Sequence, residues 1–315
     1  MTAPLRKGGS AAPGGNVAQT PTPAPIQRAL SVIRPRPWLR NSLLAGPAGL
    51  WLLLFQGVPM LLILVMSFGR RTGTGAVQYT FNTANYVRFA DPLYLKILGN
   101  SFLVALGVTV LTMLIGYPLA YFIASQPPTT RPRWLFLVIV PFWTSMLIRT
   151  YGWIFLLRSN GLINTLLLKL HLISKPLELL YNDRAAMLGL VYMLLPFMVL
   201  PIYTSVEKLD TSLIRAAYDL GARPWRTFMT VILPLTLPGV AAGAVLVMVP
   251  SIGLFYVADL LGGAKAVLIG NLIQRQFTTA RDWPFGAASS VILVALTLSL
   301  VFLYIRGGGK EDELI

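Results

Sequence analysis

Residues 207–240 read EKLDTSLIRAAYDLGARPWRTFMTVILPLTLPGV. The first part is polar, and from Thr227 on the stretch is free of charge. Asp210, Thr211 and Ser212 are residue types that accept a hydrogen bond from the first turn of a helix. The helix they start is expected over 214–220. Gly221 fits its end, at a position that takes a left-handed backbone. Arg223 precedes Pro224, and proline suits a first helical turn. A second short helix then leads to Leu233 and Pro234 and into an apolar run. Ala216 and Ala217 give the first helix a surface small enough for close approach. On the residues alone the stretch reads two ways: a surface link between two apolar segments, or a knob on which a soluble partner docks.

Outward from this stretch the chain is a series of uncharged runs: 41–69, 97–130, 185–206, 227–258 and 283–305. Each exceeds the roughly 20 residues that carry a helix across the hydrocarbon core. A sixth, 134–148, stops at Arg149, but 150–157 continues it, and an arginine near a helix end can snorkel to the interface. Six spans are expected, near 43–67, 101–125, 134–156, 185–206, 234–257 and 285–305. Pro47, Pro59, Pro118, Pro141, Pro196, Pro201 and Pro250 fall inside them, which membrane helices tolerate where neighbours satisfy the freed carbonyls. The composition agrees. Of 315 residues, 55% are hydrophobic and 12% charged, about half the usual charged share of a soluble domain, and mean hydropathy is +0.68. A soluble fold of this length cannot hide so much apolar surface. The fold class is all-α, a polytopic membrane protein.

The 26 Lys and Arg against 11 Asp and Glu give a net charge of +15. The cations lie between apolar runs rather than on one polar domain, so no nucleic-acid partner is expected. With no cysteine, disulfides, thiolate metal sites and cysteine nucleophiles are excluded. The single His171 cannot build a histidine metal cluster, and neither metal nor cofactor is expected. No GxxxxGK[ST] loop is present to hold a nucleoside triphosphate. Residues 1–40 are rich in Pro, Gly, Ala and Ser, carry Arg6, Lys7, Arg28, Arg34, Arg36 and Arg40 without an acid, and are expected to be a disordered basic tail. Residues 41–306 form the membrane domain, and 307–315 a short tail. In the connection 158–183, GLINTLLLKLHLI is too short to span and reads either as an interfacial amphipathic helix or as an ordinary packed one. The six basic residues ahead of the first span favour an inside amino terminus, whereas Arg70 and Arg71 after it argue the opposite. An even number of spans puts both termini on one side.

RAAYDLG (215–221) followed by VILP (231–234) resembles the EAA loop of the permease subunits of binding-protein-dependent ABC importers. Ala216, Ala217, Gly221, Leu233 and Pro234 stand at the family's positions, Val231 replaces the usual Ile, and Arg215 stands where the family has Glu. DPLY (91–94), VPFWTSMLIRTYG (140–152), GLVYMLLPFMVLPIYTSVEKLD (189–210), GLFYVADLLGGAK (253–265) and RDWPFGAA (281–288) resemble the spermidine/putrescine branch of that family.

The resemblance implies a type I importer permease of MetI-like architecture. Its coupling loop (207–233) is cytoplasmic, so both termini are cytoplasmic in the inner membrane. Arg215, Ala216, Ala217, Asp219, Gly221, Leu233 and Pro234 would form the ATPase-coupling site. The implied partners are a cytoplasmic ABC ATPase acting as a dimer, a second permease subunit, an extracytoplasmic polyamine-binding protein and the lipid bilayer. The solute would be spermidine or putrescine, and the chain itself no enzyme.

Asp259 at the outer end of span five and Tyr256 beside it, with Trp143 and Tyr151 among the aromatics near outer span ends, are the expected solute-path residues. An intramembrane acid is costly, and aromatic faces hold ammonium groups at roughly 0.5–2 kcal/mol each. The plain alternatives are an aromatic belt, and Asp259 capping a helix or pairing with Lys265 or Arg275. Gly239 and Gly243, four apart in span five, are expected at a close helix contact. Arg149 and the positive charge speak instead for an anionic solute such as a phosphonate, sulfate or iron chelate carried by the same type of permease. A secondary transporter would leave the coupling loop without a purpose. A membrane enzyme would need clustered acids or histidines at one depth.

Overall fold

The computed structural model describes residues 37–73, 76–263 and 267–306, with side chains from residue 45. The helices are α1 (Pro37–Leu52), α2 (Val58–Ser67), α3 (Ala84–Phe89), α4 (Pro92–Ser125), α5 (Arg131–Ile139), α6 (Met146–Leu157), α7 (Leu162–Lys169), α8 (Asp183–Glu207), α9 (Thr211–Asp219), α10 (Pro224–Thr227), α11 (Leu233–Gly253), α12 (Phe255–Val257), α13 (Ile269–Thr278) and α14 (Trp283–Arg306). A two-residue hairpin, Arg70–Arg71 with Val77–Gln78, is the sheet among the described residues. Contacts divide the chain into residues 1–59 and 60–315. The first unit holds α1 and the π-turn Leu53–Gly57, with Trp51 and Phe55 in ring contact at 4.2 Å.

In the second unit the core is a seam of α4, α8 and α11, filled by Val108, Ile123, Leu190, Met193, Met198, Ile202 and Val247. These helices are apolar around their whole circumference, the pattern of membrane helices rather than of amphipathic surface ones. Their starts are set by side chains that accept from the first turn: Asp91 from the Leu93 amide at 2.8 Å, and Asn182 from that of Ala185 at 2.9 Å. Close approach along the seam depends on small residues. A Cβ at Gly239 would lie 2.2 Å from Ser205 Oγ and 2.6 Å from the Pro201 carbonyl, and one at Gly243 2.8 Å from Met198 Sδ. The two glycines thus face α8 of the same chain. Tyr117 and Thr236 share a buried hydrogen bond of 2.8 Å between α4 and α11.

Five stretches among the described residues are long and apolar enough to cross a membrane: Ala45–Ser67, Pro92–Ser125, Asp183–Glu207, Pro224–Gly253 and Trp283–Arg306. The expected third span is broken. α5 and the 3-10 turn Val140–Trp143 meet α6 at a 92° bend. Pro141 removes one amide from the ladder, and Thr144 and Ser145 are extended, with ψ of 147° and 136°. The pair still passes from end to end of α8. Arg131 at its start is ion-paired to Glu207 at the carboxyl end of α8, and Asn164 beyond its end is bonded to Leu177, just ahead of α8. Counted as one broken span, the pair brings the number of candidate spans to six.

Three boundaries differ from the sequence expectation. α4 starts at Pro92, well before 101. Helix begins at Pro37, inside the expected tail, while the disorder expected of 1–36 and the tail 307–315 lie outside the described residues. Span five is helical without a turn from Pro224 through the π-turn Phe228–Ile232 to Gly253, and ends there rather than at 257. Leu254, with ψ of 76°, breaks it.

Candidate coupling surface and solute path

α9 is defined at both ends by its own sequence. Asp210 caps the start by accepting from the Ser212 amide at 2.8 Å, which holds its carboxyl below the usual range. At the other end the amide of Gly221 donates to the Tyr218 carbonyl at 2.8 Å and that of Ala222 to the Ala217 carbonyl at 3.0 Å. This paired closure needs a left-handed residue between helix and exit, and Gly221 has φ of +78°. A Cβ there would meet nothing within 4 Å, so the glycine serves the backbone turn and not close packing within this chain.

The helix is amphipathic but unburied. Arg215, Ala216 and Asp219 are exposed and Ala217 half-buried. Leu220 is 89% exposed and Trp225, on α10 past the Gly221 turn, 70%. Apolar groups of that size in water mark a contact surface. Among the described residues neither Arg215 nor Asp219 forms an ion pair. Leu233 and Pro234 lie away from this surface, in the first turn of α11. At the root of the loop Arg131 reaches Glu207 at 3.1 Å while its Nε donates to the Gln126 carbonyl at 2.8 Å, which joins the ends of α4, α5 and α8. Sequence reasoning passed over this pair, because 76 residues separate its members.

At the opposite end of α11, Asp259 lies on a π-turn, Ala258–Gly262, beyond the break. Its Oδ1 accepts from Asn271 Nδ2 and, at 3.4 Å, from Arg275. Asn271, wholly buried on α13, also donates to the Phe255 carbonyl at 3.2 Å. Of the two pairings considered from sequence, Arg275 is present, and Lys265 lies outside the described residues. Tyr256 points its hydroxyl at Met193 Sδ, 3.8 Å away, within electrostatic reach of Arg149. The Arg149 guanidinium stands over the Phe142 ring at 5.2 Å, with Nε buried and lacking a partner. Trp143 packs edge-on to Phe136 and is 74% exposed, and Tyr151 is exposed. The structure brings Asp259 and Tyr256 onto one short segment and gives neither of them a hydrogen bond or ring contact with Trp143 or Tyr151. Asn271 was legible only as a polar residue in a mostly apolar stretch.

The described residues form a largely helical membrane unit with an exposed amphipathic helix between two of its apolar spans. The family described as binding-protein-dependent transport system inner membrane component matches residues 38–307, and the chain belongs to it. It is therefore a multi-pass inner-membrane transport protein and not an enzyme. The spermidine/putrescine transport system permease protein PotB of Escherichia coli (strain K12) is 48% identical over 267 residues, which cover 84% of this chain and 97% of that protein. PotB of Haemophilus influenzae is 46% identical over 81% of this chain and 90% of its own length. In structure, a bacterial ABC transporter involved in the import of the acidic polysaccharide alginate superposes with a TM-score of 0.67 at 19% identity, covering 89% of this chain and 97% of that one, which shows a shared fold.

Proposed function

We propose that the chain is the membrane-spanning permease subunit of an ATP-driven importer that takes spermidine or putrescine from an extracytoplasmic binding protein. The observation that carries this reading is the 48% identity to PotB across nearly its whole length. α9 is the docking helix for a cytoplasmic ATPase dimer, with Arg215, Ala216, Ala217, Asp219 and Gly221 at the contact and Leu233 and Pro234 fixing the entry into α11. Its exposed Leu220 and Trp225 support that role. Both termini are then cytoplasmic, residues 1–40 and 307–315 being tails on the domain 41–306. A second permease subunit completes the path. Asp259 and Tyr256 face the arriving solute from the outer end, and Trp143 and Tyr151 line the approach. An ammonium group that loses water there exchanges it for the carboxylate and a ring face.

One observation favours a second reading. The half-buried Arg149, whose buried Nε has no partner, would suit an anion. Vesicles holding the permease, its partner permease and the ATPase, supplied with the binding protein, decide between them. ATP-dependent uptake of labelled spermidine is expected. Uptake of sulfate or a phosphonate in its place would establish the anion reading. Spermidine uptake without ATP would overturn the coupling role of α9.

A further inference from the structure

At the end of α8 remote from the coupling helix lies a cavity of about 660 Å³ framed by Phe155, Arg158, Ser159, Glu178 and Tyr181. It adjoins the π-turn that carries Asp259, without Asp259 in its lining, and lies away from the coupling surface. Two walls form it: the exit of α6 (Arg158, Ser159) and the irregular approach to α8 (Glu178 to Tyr181). Asn164, wholly buried on α7, ties the walls together. Its Nδ2 donates to the carbonyls of Arg158 at 3.2 Å and Leu177 at 3.0 Å, and its Oδ1 accepts from the Leu177 amide at 2.8 Å. Tyr181 is fixed as well. Its amide donates to the Leu261 carbonyl at 2.8 Å, and its φ of +62° is a left-handed value that costs a tyrosine energy and survives only where surroundings impose it. The cavity's walls are thus fixed through backbone bonds, which leaves the side chains of Arg158, Ser159 and Glu178 free of that task.

The lining carries one cation and one anion that do not pair with each other. Among the described residues, neither Arg158 nor Glu178 forms an ion pair, and neither side chain forms a hydrogen bond. Opposite charges facing one cavity without meeting fit a ligand that carries both signs. The surroundings place that ligand at a membrane surface. An exposed apolar stripe on α6 (Ile148, Tyr151, Phe155) runs up to the cavity, and α7 beside it exposes Leu162 and Leu166 one turn apart. A helix with that face lies at headgroup depth.

We propose that this cavity is a binding site for the headgroup of a primary-amine zwitterionic phospholipid. The phosphate lies against Arg158 and the Ser159 hydroxyl, the ammonium against Glu178, and one acyl chain follows Ile148 and Phe155. A guanidinium suits the phosphate because it offers a planar fork of donors. A carboxylate prefers a primary ammonium, with N–H groups to donate, over a quaternary one.

The test uses the full-length chain assembled with its partners, extracted from vesicles of equal parts palmitoyl-oleoyl phosphatidylethanolamine, phosphatidylcholine and phosphatidylglycerol. Lipid retained by the complex is read by native mass spectrometry. Phosphatidylethanolamine is expected to be retained over the other two. Arg158→Gln and Glu178→Gln should each lower retention about tenfold, the loss of one charge-assisted bond. Lys169→Gln, an exposed change outside the cavity, should leave it unchanged. Both cavity variants alter exposed side chains, and equal yield of assembled complex confirms that they fold. Equal retention by wild type and both variants overturns the proposal, as does retention of phosphatidylglycerol at the same level. If binding protein shields Arg158 from guanidine-directed reagents while no lipid is retained, the occupant is a protein loop and the proposal fails.

Discussion

Gly221 does its work through its backbone. A leucine there has room, but an L-residue in the left-handed region costs about 1–2 kcal/mol, enough to unwind the paired closure of a nine-residue helix. Gly221→Leu is expected to insert and assemble while ATP hydrolysis proceeds without solute uptake, checked by measuring both rates on the same vesicles. Normal uptake would remove α9 from the coupling role. The cap at the other end has a pH signature. The folded-state carboxyl of Asp210 is shifted down, so its bond to the Ser212 amide is complete above the ordinary carboxylate range and is lost only as pH falls through the lowered value. Across neutral pH, α9 therefore keeps its start. Asp210→Asn, which keeps the acceptor, should leave hydrogen exchange at Ser212 unchanged, whereas Asp210→Ala should accelerate it. For Asp259 the bond from Asn271 and the weaker one from Arg275 mean that Asp259→Asn tests charge rather than shape. Uptake per assembled complex is expected to fall about tenfold, equivalent to roughly 1.4 kcal/mol. A fall in protein level with unchanged uptake per complex would make the carboxylate a structural tie between α13 and the break in span five.

Among the elements, the α8–α11 contact has the least slack. The space for a Cβ at Gly239 is taken by a hydroxyl and a backbone carbonyl, and only the thioether at Gly243 can yield. Overpacking of this kind costs about 1–3 kcal/mol a site. Gly239→Leu with Gly243→Leu is expected to reduce the yield and thermal midpoint of the chain itself, before any partner is added. A normal midpoint with lost partner binding would move this contact from within the chain to its surface. The Arg131–Glu207 pair is the opposite case. Its side chains are 24% and 41% exposed, and partly solvated pairs contribute about 0–1 kcal/mol. A double-mutant cycle of Arg131→Gln and Glu207→Gln should yield a coupling within that range.

At the scale of the whole molecule, topology follows from which ends of the helices share contacts. The chain has no cysteine, so single introduced thiols report cleanly. Thr129→Cys, between α4 and α5, should react with an impermeant maleimide only after the membrane is opened, and Ser174→Cys, beyond α7, from outside on intact cells. The same side for both would contradict the broken third span. Five of the six spans were legible because a membrane demands an unbroken apolar run, a property of composition alone. The third was legible only with its arginine excused, and its 92° bend came from Pro141 and two extended residues whose effect the pattern does not display.

The sequence by itself determined the class of the fold, the place of α9, and both its ends, because capping and the left-handed exit are local and involve residues a turn apart. It also carried the family, through motifs that need only spacing. What tertiary structure alone decided is which groups meet: Asn271 and Arg275 at Asp259, Gly239 at Ser205, Arg131 at Glu207, and two unpaired charges across one cavity. Apolar helices look alike on every face, so their sequences state that they pack but not along which side. The partners of their few polar groups are fixed only when the helices are set against one another.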